Sequence, residues 1–293
     1  MALLFVVDQL NLVYRNYFAL LSKGLATSKG VPSGTVFGFV NSILLLHDQF
    51  ISTQGAQALI AGDGDGNWRR EIYPHYKEVH HELPDEFYVE LSAIDEFIQL
   101  FGLHSIRVTM FEADDVMATL VRMMTELNTG VALVTNDKDL AQCVSDAKHV
   151  ALLRATGAGY EWMQEKEVLA KFGVEAHQIP DYLALVGDPG DGIPGIKGIG
   201  EKTAASMLKE YGSLENLLDN TSLLSDRHRV KLEQLKEHAR VYKQLATCRT
   251  DVPLDQCVTP PTVAIDHNGL EDFARKWELQ SLTTWVTKQR GGE

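Results

Sequence analysis

Apolar and polar positions alternate along the first 174 residues with two different periods. LLFVVD (3–8), ALIAGD (58–63) and GVALVTND (130–137) are short, almost wholly apolar runs, the pattern of strands buried on both faces. Between them, VPSGTVFGFVNSILLLHDQF and DDVMATLVRMMTEL carry apolar residues at helical spacing. The stretch from Glu82 to Gly102 does the same, with a helix expected after Pro84 and Asp85 and Glu86 in its first turn. Strands alternating with helices predict an α/β fold with a mostly parallel, helix-flanked central sheet over residues 1–174. From about residue 175 the pattern becomes helical. IPDYLALVGD, EKTAASMLKEYG, LENLLDN and DRHRVKLEQLKEHARVYKQLA read as helices joined by glycine-rich or polar turns, the last as one long charge-laced helix. After a proline-containing connection from Asp251 to Pro261, LEDFARKWELQSL predicts one more helix in a second region, 175–293.

The strand-like runs share an ending. The three break off at Asp8, Asp63 and Asp137, with Asp139 two residues beyond the last; Glu112, Asp114 and Asp115 cluster at the start of a predicted helix, and Asp188 and Asp191 come at and after the end of another. Each of these acids alone has an ordinary explanation as a turn former, helix cap or dipole partner. Together they fall where a parallel sheet gathers its functional groups, at the carboxyl ends of its strands. Two carboxylates ~6 Å apart at an effective dielectric of ~20 repel by ~3 kcal/mol, so nine in one place require cations. No histidine or cysteine lies among them, which disfavours zinc; all-oxygen ligands favour magnesium or manganese. Two such ions suit in-line phosphoryl displacement, making phosphodiester hydrolysis the leading reaction class. Calcium binding without catalysis is the structural alternative, but the twelve-residue EF-hand pattern is absent.

Composition narrows the setting. The 293 residues, 45% hydrophobic and 23% charged, can bury a substantial core. No apolar stretch approaches the ~20 residues of a membrane span, and MALLFVVDQLN has no basic leader, so neither a membrane segment nor a signal peptide is expected. Three widely spaced cysteines (Cys143, Cys248, Cys257) point to reduced thiols and a cytoplasmic setting. The net charge of −13 argues at face value against nucleic acid, but setting the nine clustered acids aside brings it to −4. Charge distribution, not the total, decides the partner.

GIPGIKGIGEKTAASML (192–208) carries a second signal. Gly195, Gly198 and Gly200 permit a tight hairpin before a helix opening at Glu201, and backbone N–H groups there suit a phosphate, with Lys197 and Lys202 adding charge. Glu201-Lys202-Thr203 breaks the Walker A order, and no strand precedes the glycines as a dinucleotide fold requires. An ordinary helix–turn–helix packing turn is the alternative to a phosphodiester grip.

Taken together, VVDQLNLVYRNYFAL, WRREIYPHYK, EADDVMATL, VTNDKDLAQCVSD and DYLALVGDPGDGIPGIKGIGEKTAASMLKEYGSLENLL closely resemble the bacterial 5′-3′ exonuclease and flap endonuclease family, including the N-terminal domain of bacterial DNA polymerase I. The likeness extends through the tail helix. It implies a PIN-like core with a helical arch and a helix–hairpin–helix module that holds duplex DNA. It also implies that the nine acids are metal ligands, and that the hairpin carbonyls near 195–201 bind a potassium ion. Arg15 matches an arginine near the substrate, Lys77 the arch lysine at the scissile phosphate, and Tyr76 an aromatic suited to stacking on an unpaired base. Thr203 with Lys197 and Lys202 falls in the implied DNA-binding segment. A monomer acting on 5′-flap or otherwise branched DNA in replication and repair is expected.

The chain departs from the family pattern around the arch. The usual Lys-x-x-Arg is here Lys77-Glu78-Val79-His80, replacing a permanent bidentate cation by a residue that titrates near neutrality. Gly62 stands where an apolar residue is usual and Gln9 where a glycine is expected; Asp65 adds an acid, and the loop through Gly66 and Asn67 is one residue short. His80→Arg is therefore expected to raise cleavage most at high pH. Two other readings stay open: a catalytically weak junction binder and a PIN-type ribonuclease.

Overall fold

The computed structural model describes residues 2–78, 83–254 and 264–291. Its centre is a six-stranded sheet in the order β3-β2-β1-β4-β5-β6, formed by β1 (Leu3–Asp8), β2 (Gln57–Ala61), β3 (His104–Ile106), β4 (Gly130–Val134), β5 (Val150–Thr156) and β6 (Gly159–Met163). All neighbours run parallel except β6, which pairs antiparallel with β5 at the edge. The three strands expected from apolar runs are β2, β1 and β4, adjacent inside the sheet. The short edge strand β3 and the β5–β6 hairpin were not expected: HSI is too brief to show a period, and Arg154 and Glu161 interrupt the other two.

Side chains on successive strand residues point to opposite faces, and the core divides accordingly. Leu4, Val6, Leu59, Val131 and Leu133 face one apolar cluster; Phe5, Val7, Ile60, Ala132 and Val134 face the other. Over the second face lie α1 (Gln9–Leu20), α2 (Gly34–Leu46) with a short turn α3 (Ser52–Gln54), and α5 (Asp85–Leu100), which starts after Pro84 as expected. The short α4 (Trp68–Ile72) follows β2. Over the first face lie α6 (Ala113–Glu126), α7 (Glu165–Phe172), α8 (Ile179–Val186), α9 (Glu201–Tyr211) and α10 (Leu214–Asp219).

Two helix expectations need correction. The long charged segment is two helices, α11 (Asp226–Gln234) and α12 (Lys236–Ala246), broken at Leu235, where φ −111° and ψ 16° leave the helical region. α11 buries only Leu232, whereas α12 buries Ala239, Tyr242, Leu245 and Ala246 and packs along α8, so one straight rod cannot serve both. The tail is also two helices, α13 (His267–Trp277) and α14 (Gln280–Gly291), separated by Glu278 at φ +56°. They pack on α5 and α2 with Leu270, Phe273, Trp277, Leu282 and Trp285 inside the second cluster. The tail thus belongs physically to the α/β core rather than to the helical region that precedes it.

Candidate active site

The sheet's carboxyl ends open into a cleft of about 500 Å³ lined by Asp8, Asp63, Glu112, Asp114, Asp137, Asp139 and Asp191. Each acid is placed by its backbone. Asp8 ends β1 and caps α1, accepting from Asn11 N at 3.2 Å and from Thr135 Oγ1 at 2.9 Å. Asp63 lies two residues past β2 and accepts from Ala113 N at 2.8 Å, at the start of α6. Glu112 and Asp115 form a capping box there. Asp137 accepts from Asp139 N at 2.9 Å, which turns both side chains in the loop after β4.

Asp191 lines the cleft and Asp188 stands beside it, both placed by backbone packing. Asp188 and Ile193 exchange hydrogen bonds of 2.7 and 2.8 Å, closing a small loop after α8. That loop lies against the helix end because Gly187 (φ +89°) and Gly195 (φ +65°) touch: a Cβ on Gly195 would press on the Gly187 nitrogen and the Val186 carbonyl. Asp139, Asp188 and Asp191 each then offer one carboxylate oxygen, all within 4.8 Å of one another. Asp139 Oδ1 is buried and has no hydrogen-bond partner among the described residues. An orphaned buried oxygen amid oxygen-only donors fits a hard divalent cation.

Asp115 differs from its expected role as a ligand. It is fully buried and its oxygens are spent on protein donors: Arg69 at 2.9 and 3.0 Å, Trp68 Nε1 at 2.8 Å and Arg249 N at 2.8 Å. Arg69, itself 1% exposed, also reaches Glu112 at 2.7 Å and Asp114 at 2.9 Å, and donates to Leu245 O at 2.8 Å. This arginine was not singled out from the sequence, because a five-residue helix carries too little periodicity to mark its inner face. Lys138, equally unforeseen, pairs with Asp188 at 2.8 Å.

Tyr76 also departs from expectation. The residue is 1% exposed and its hydroxyl lies within hydrogen-bond distance of both Glu112 and Asp191, each at 3.0 Å, so it is a strut of the acid cluster rather than an open stacking surface. Lys77 does lie at the cleft, 2.7 Å from Glu112 Oε1 and 3.5 Å from Asp191. Its backbone, at φ +48°, donates to Asp191 O at 3.0 Å, while Arg70 donates to the carbonyls of Tyr76 and Lys77. Arg15 does not line the cleft: its guanidinium donates to the Ala155 and Thr156 carbonyls at the carboxyl end of β5. His80 lies outside the described residues. Gln9 and Gly62 explain each other, since the Gln9 amide and Arg107 fill the space a Cβ on Gly62 would take, and both join Asp95 at 2.7 Å.

The charges respond as a crowded, cation-poor site should. Burial and then the neighbouring Asp137 raise Asp8 to about 7. Burial pushes Asp114 and Asp139 well above the carboxylate range, and raises Asp63 and Asp191. Burial acts on Glu112 in the same direction, but Lys77 and Arg69 outweigh it and hold Glu112 low. Lys77 is raised despite its burial, by Asp191 and Glu112.

At the hairpin, Gly195 serves the Gly187 contact and is buried. Lys197, Gly198, Gly200 and Lys202 are exposed, and Thr203 sits in the first turn of α9. Gly200 caps α9 without a side-chain bond, so the first amides of that helix remain open.

Comparison with known proteins agrees with this geometry. Residues 3–173 match the family model for the 5′-3′ exonuclease N-terminal resolvase-like domain, and residues 174–265 the model for the 5′-3′ exonuclease C-terminal SAM fold. A 5′-3′ exonuclease of Aquifex aeolicus is 39% identical over 291 residues, covering 98% of this chain and 96% of its own. The thermostable DNA polymerase I of Thermus thermophilus is 39% identical over 282 residues; this chain spans 32% of that relative's length. Among solved structures, phage T5 5′-exonuclease with bound zinc superposes with a TM-score of 0.68 at 20% identity, covering 98% of this chain and 97% of that one. The catalytic core of Rad2 in complex with DNA gives 0.61 at 17% identity, covering 94% and 86%. These two show the shared fold. With both halves matched in order and a relative aligned along almost its whole length, the chain belongs to the 5′-3′ exonuclease family.

Proposed function

We propose that the chain is a magnesium-dependent, structure-specific 5′-nuclease that cuts 5′ flaps and trims 5′ ends of branched DNA, such as replication primers and repair intermediates. The observation that carries this reading is the convergence of seven acids on one cleft beside Lys77, with a buried Asp139 oxygen left without a partner among the described residues. The oxygen-only donors favour magnesium, with manganese as a substitute. Asp8, Asp63, Glu112, Asp114, Asp137 and Asp139 would hold the ions at the front of the cleft, and Asp188 and Asp191 would complete a second position with Asp139. Ions bound there supply water activation and stabilise the leaving oxygen. Lys77, once Glu112 is engaged by a cation, is free to donate to a scissile phosphate oxygen as negative charge develops. Asp115 and Arg69 keep Glu112 and Asp114 in place. Residues 1–174 carry most of the chemistry, with Asp188 and Asp191 added from the helical region, and that region holds the duplex through phosphate contacts rather than base edges. We assign a monomer in the cytoplasm; light scattering on the eluting peak from size exclusion checks the first point.

One experiment tests the reading. Purified protein is incubated with labelled 5′-flap DNA and with matched single-stranded RNA, in magnesium or in EDTA. Magnesium-dependent cleavage of the flap alone is expected. Cleavage of the RNA instead would establish a ribonuclease, and cleavage of neither would leave a junction binder.

A further inference from the structure

The hairpin expected to hold a potassium ion is arranged for a different cation. Ile199 N donates to Ile196 O at 2.9 Å, and Gly198 at the third position has φ +90°, the arrangement of a type II turn. Such a turn swings the second residue's carbonyl outward. Here that carbonyl, Lys197 O, accepts from Lys231 Nζ of α11 at 2.7 Å. Of the neighbouring hairpin carbonyls, two also accept from the backbone, Ile196 O from Ile199 N and Gly200 O from Ala204 N. Glycine at 198 suits the positive φ and leaves the ammonium its place: a Cβ there would stand 2.5 Å from Lys231 Nζ, and the lysine would have to shift. A metal ion on Lys197 O would share its place with the ammonium, and two unit positive charges ~4 Å apart repel by ~4 kcal/mol at an effective dielectric of ~20. The residues present therefore do not fit a bound potassium.

We propose that Lys231 is the hairpin's resident cation. Its ammonium replaces a monovalent metal ion, with two N–H donors left beyond the Lys197 bond. Together with Arg227 and the open amides at the start of α9, it offers the hairpin to a single DNA phosphate. Duplex binding is then indifferent to which monovalent salt is present. This inference rests on the DNA-binding reading above.

The test measures binding, not cleavage. Fluorescence anisotropy of a labelled 5′-flap DNA is recorded in EDTA, in potassium, sodium or tetramethylammonium chloride at equal ionic strength. Wild-type affinity should agree within about twofold across the three salts, as should Lys231→Arg. Lys231→Met, its fold checked by circular dichroism, should lose about tenfold in tetramethylammonium (~1.4 kcal/mol) and recover in potassium, which enters the vacated place. Wild-type binding that needs potassium overturns the proposal, and so does a Lys231→Met loss that is uniform in all three salts or absent in all. Wild-type protein that binds no DNA in any salt overturns the DNA reading and this proposal together.

Discussion

At the scale of single residues, two buried aspartates on neighbouring elements have opposite energetics. Asp115 is matched by Arg69, Trp68 and a backbone amide, whereas Asp139 has an oxygen with no partner among the described residues. Removing one partner of a buried ion pair costs about 3–5 kcal/mol, while removing an uncompensated charge relieves the fold. Asp115→Asn should therefore destabilise the protein in EDTA by about 3 kcal/mol, roughly 6–10 °C in Tm. Asp139→Asn should raise Tm in EDTA and weaken metal binding by calorimetry. Equal shifts for the two variants would refute the division of roles. The pH dependence follows from Asp8, whose pKa rises from 3.8 to about 7 on folding. Between those values the folded state holds a proton that the unfolded chain has released, so stability is fully present below about 4 and is lost as pH climbs to about 7. Thermal melts in EDTA should show Tm falling between pH 5 and 7; excess divalent ion should flatten that fall, because it binds the ionised form. A Tm that rises over this range without metal would contradict the raised pKa.

At the scale of elements, the α8–α9 connection performs two tasks with one run of glycines. Gly187 and Gly195 bring two stretches of backbone together and so deliver Asp188 and Asp191; Gly198 shapes the exposed turn. Gly195→Ala adds both a positive-φ penalty and a clash with rigid backbone, so a loss of about 2–3 kcal/mol is expected, together with weaker metal binding. Gly212, at φ +80° with open space around it, is the control: alanine there should cost only about 1 kcal/mol and leave metal affinity unchanged. Similar losses at both positions in denaturant melts would mean that the contact does not position the acids. Which glycine serves which task was not legible beforehand, because spacing alone does not say which backbones meet.

At the scale of the molecule, the chain's last helices return to its first layer. Leu282 is fully buried, and Trp285 packs at a tilt against Phe101 and donates to Asp48. Leu282→Ala should cost about 2–5 kcal/mol through transfer and cavity terms, yet leave metal affinity intact, since the cleft lies at the strand ends. A calorimetric loss of metal binding by a still-folded Leu282→Ala would contradict that separation. Arg69 makes the opposite kind of link, joining the acid cluster to the Leu245 carbonyl on α12. The tail and α12 are thus tied to the core by different physics, apolar packing at the tail and a buried charge network at α12.

The sequence by itself determined the class of fold, three adjacent inner strands and the set of acids. Apolar runs and helical periods are local, and an acid at the end of a buried parallel strand has one place to go. Tertiary structure decided how those acids divide. Asp115 turns to an arginine from another element, Tyr76 is buried as a strut, and Arg15 is held by carbonyls at the carboxyl end of β5. It also decided where the tail packs and which cation meets the hairpin carbonyl. These outcomes depend on contacts between residues tens to more than a hundred positions apart, for which no local pattern carries a signal.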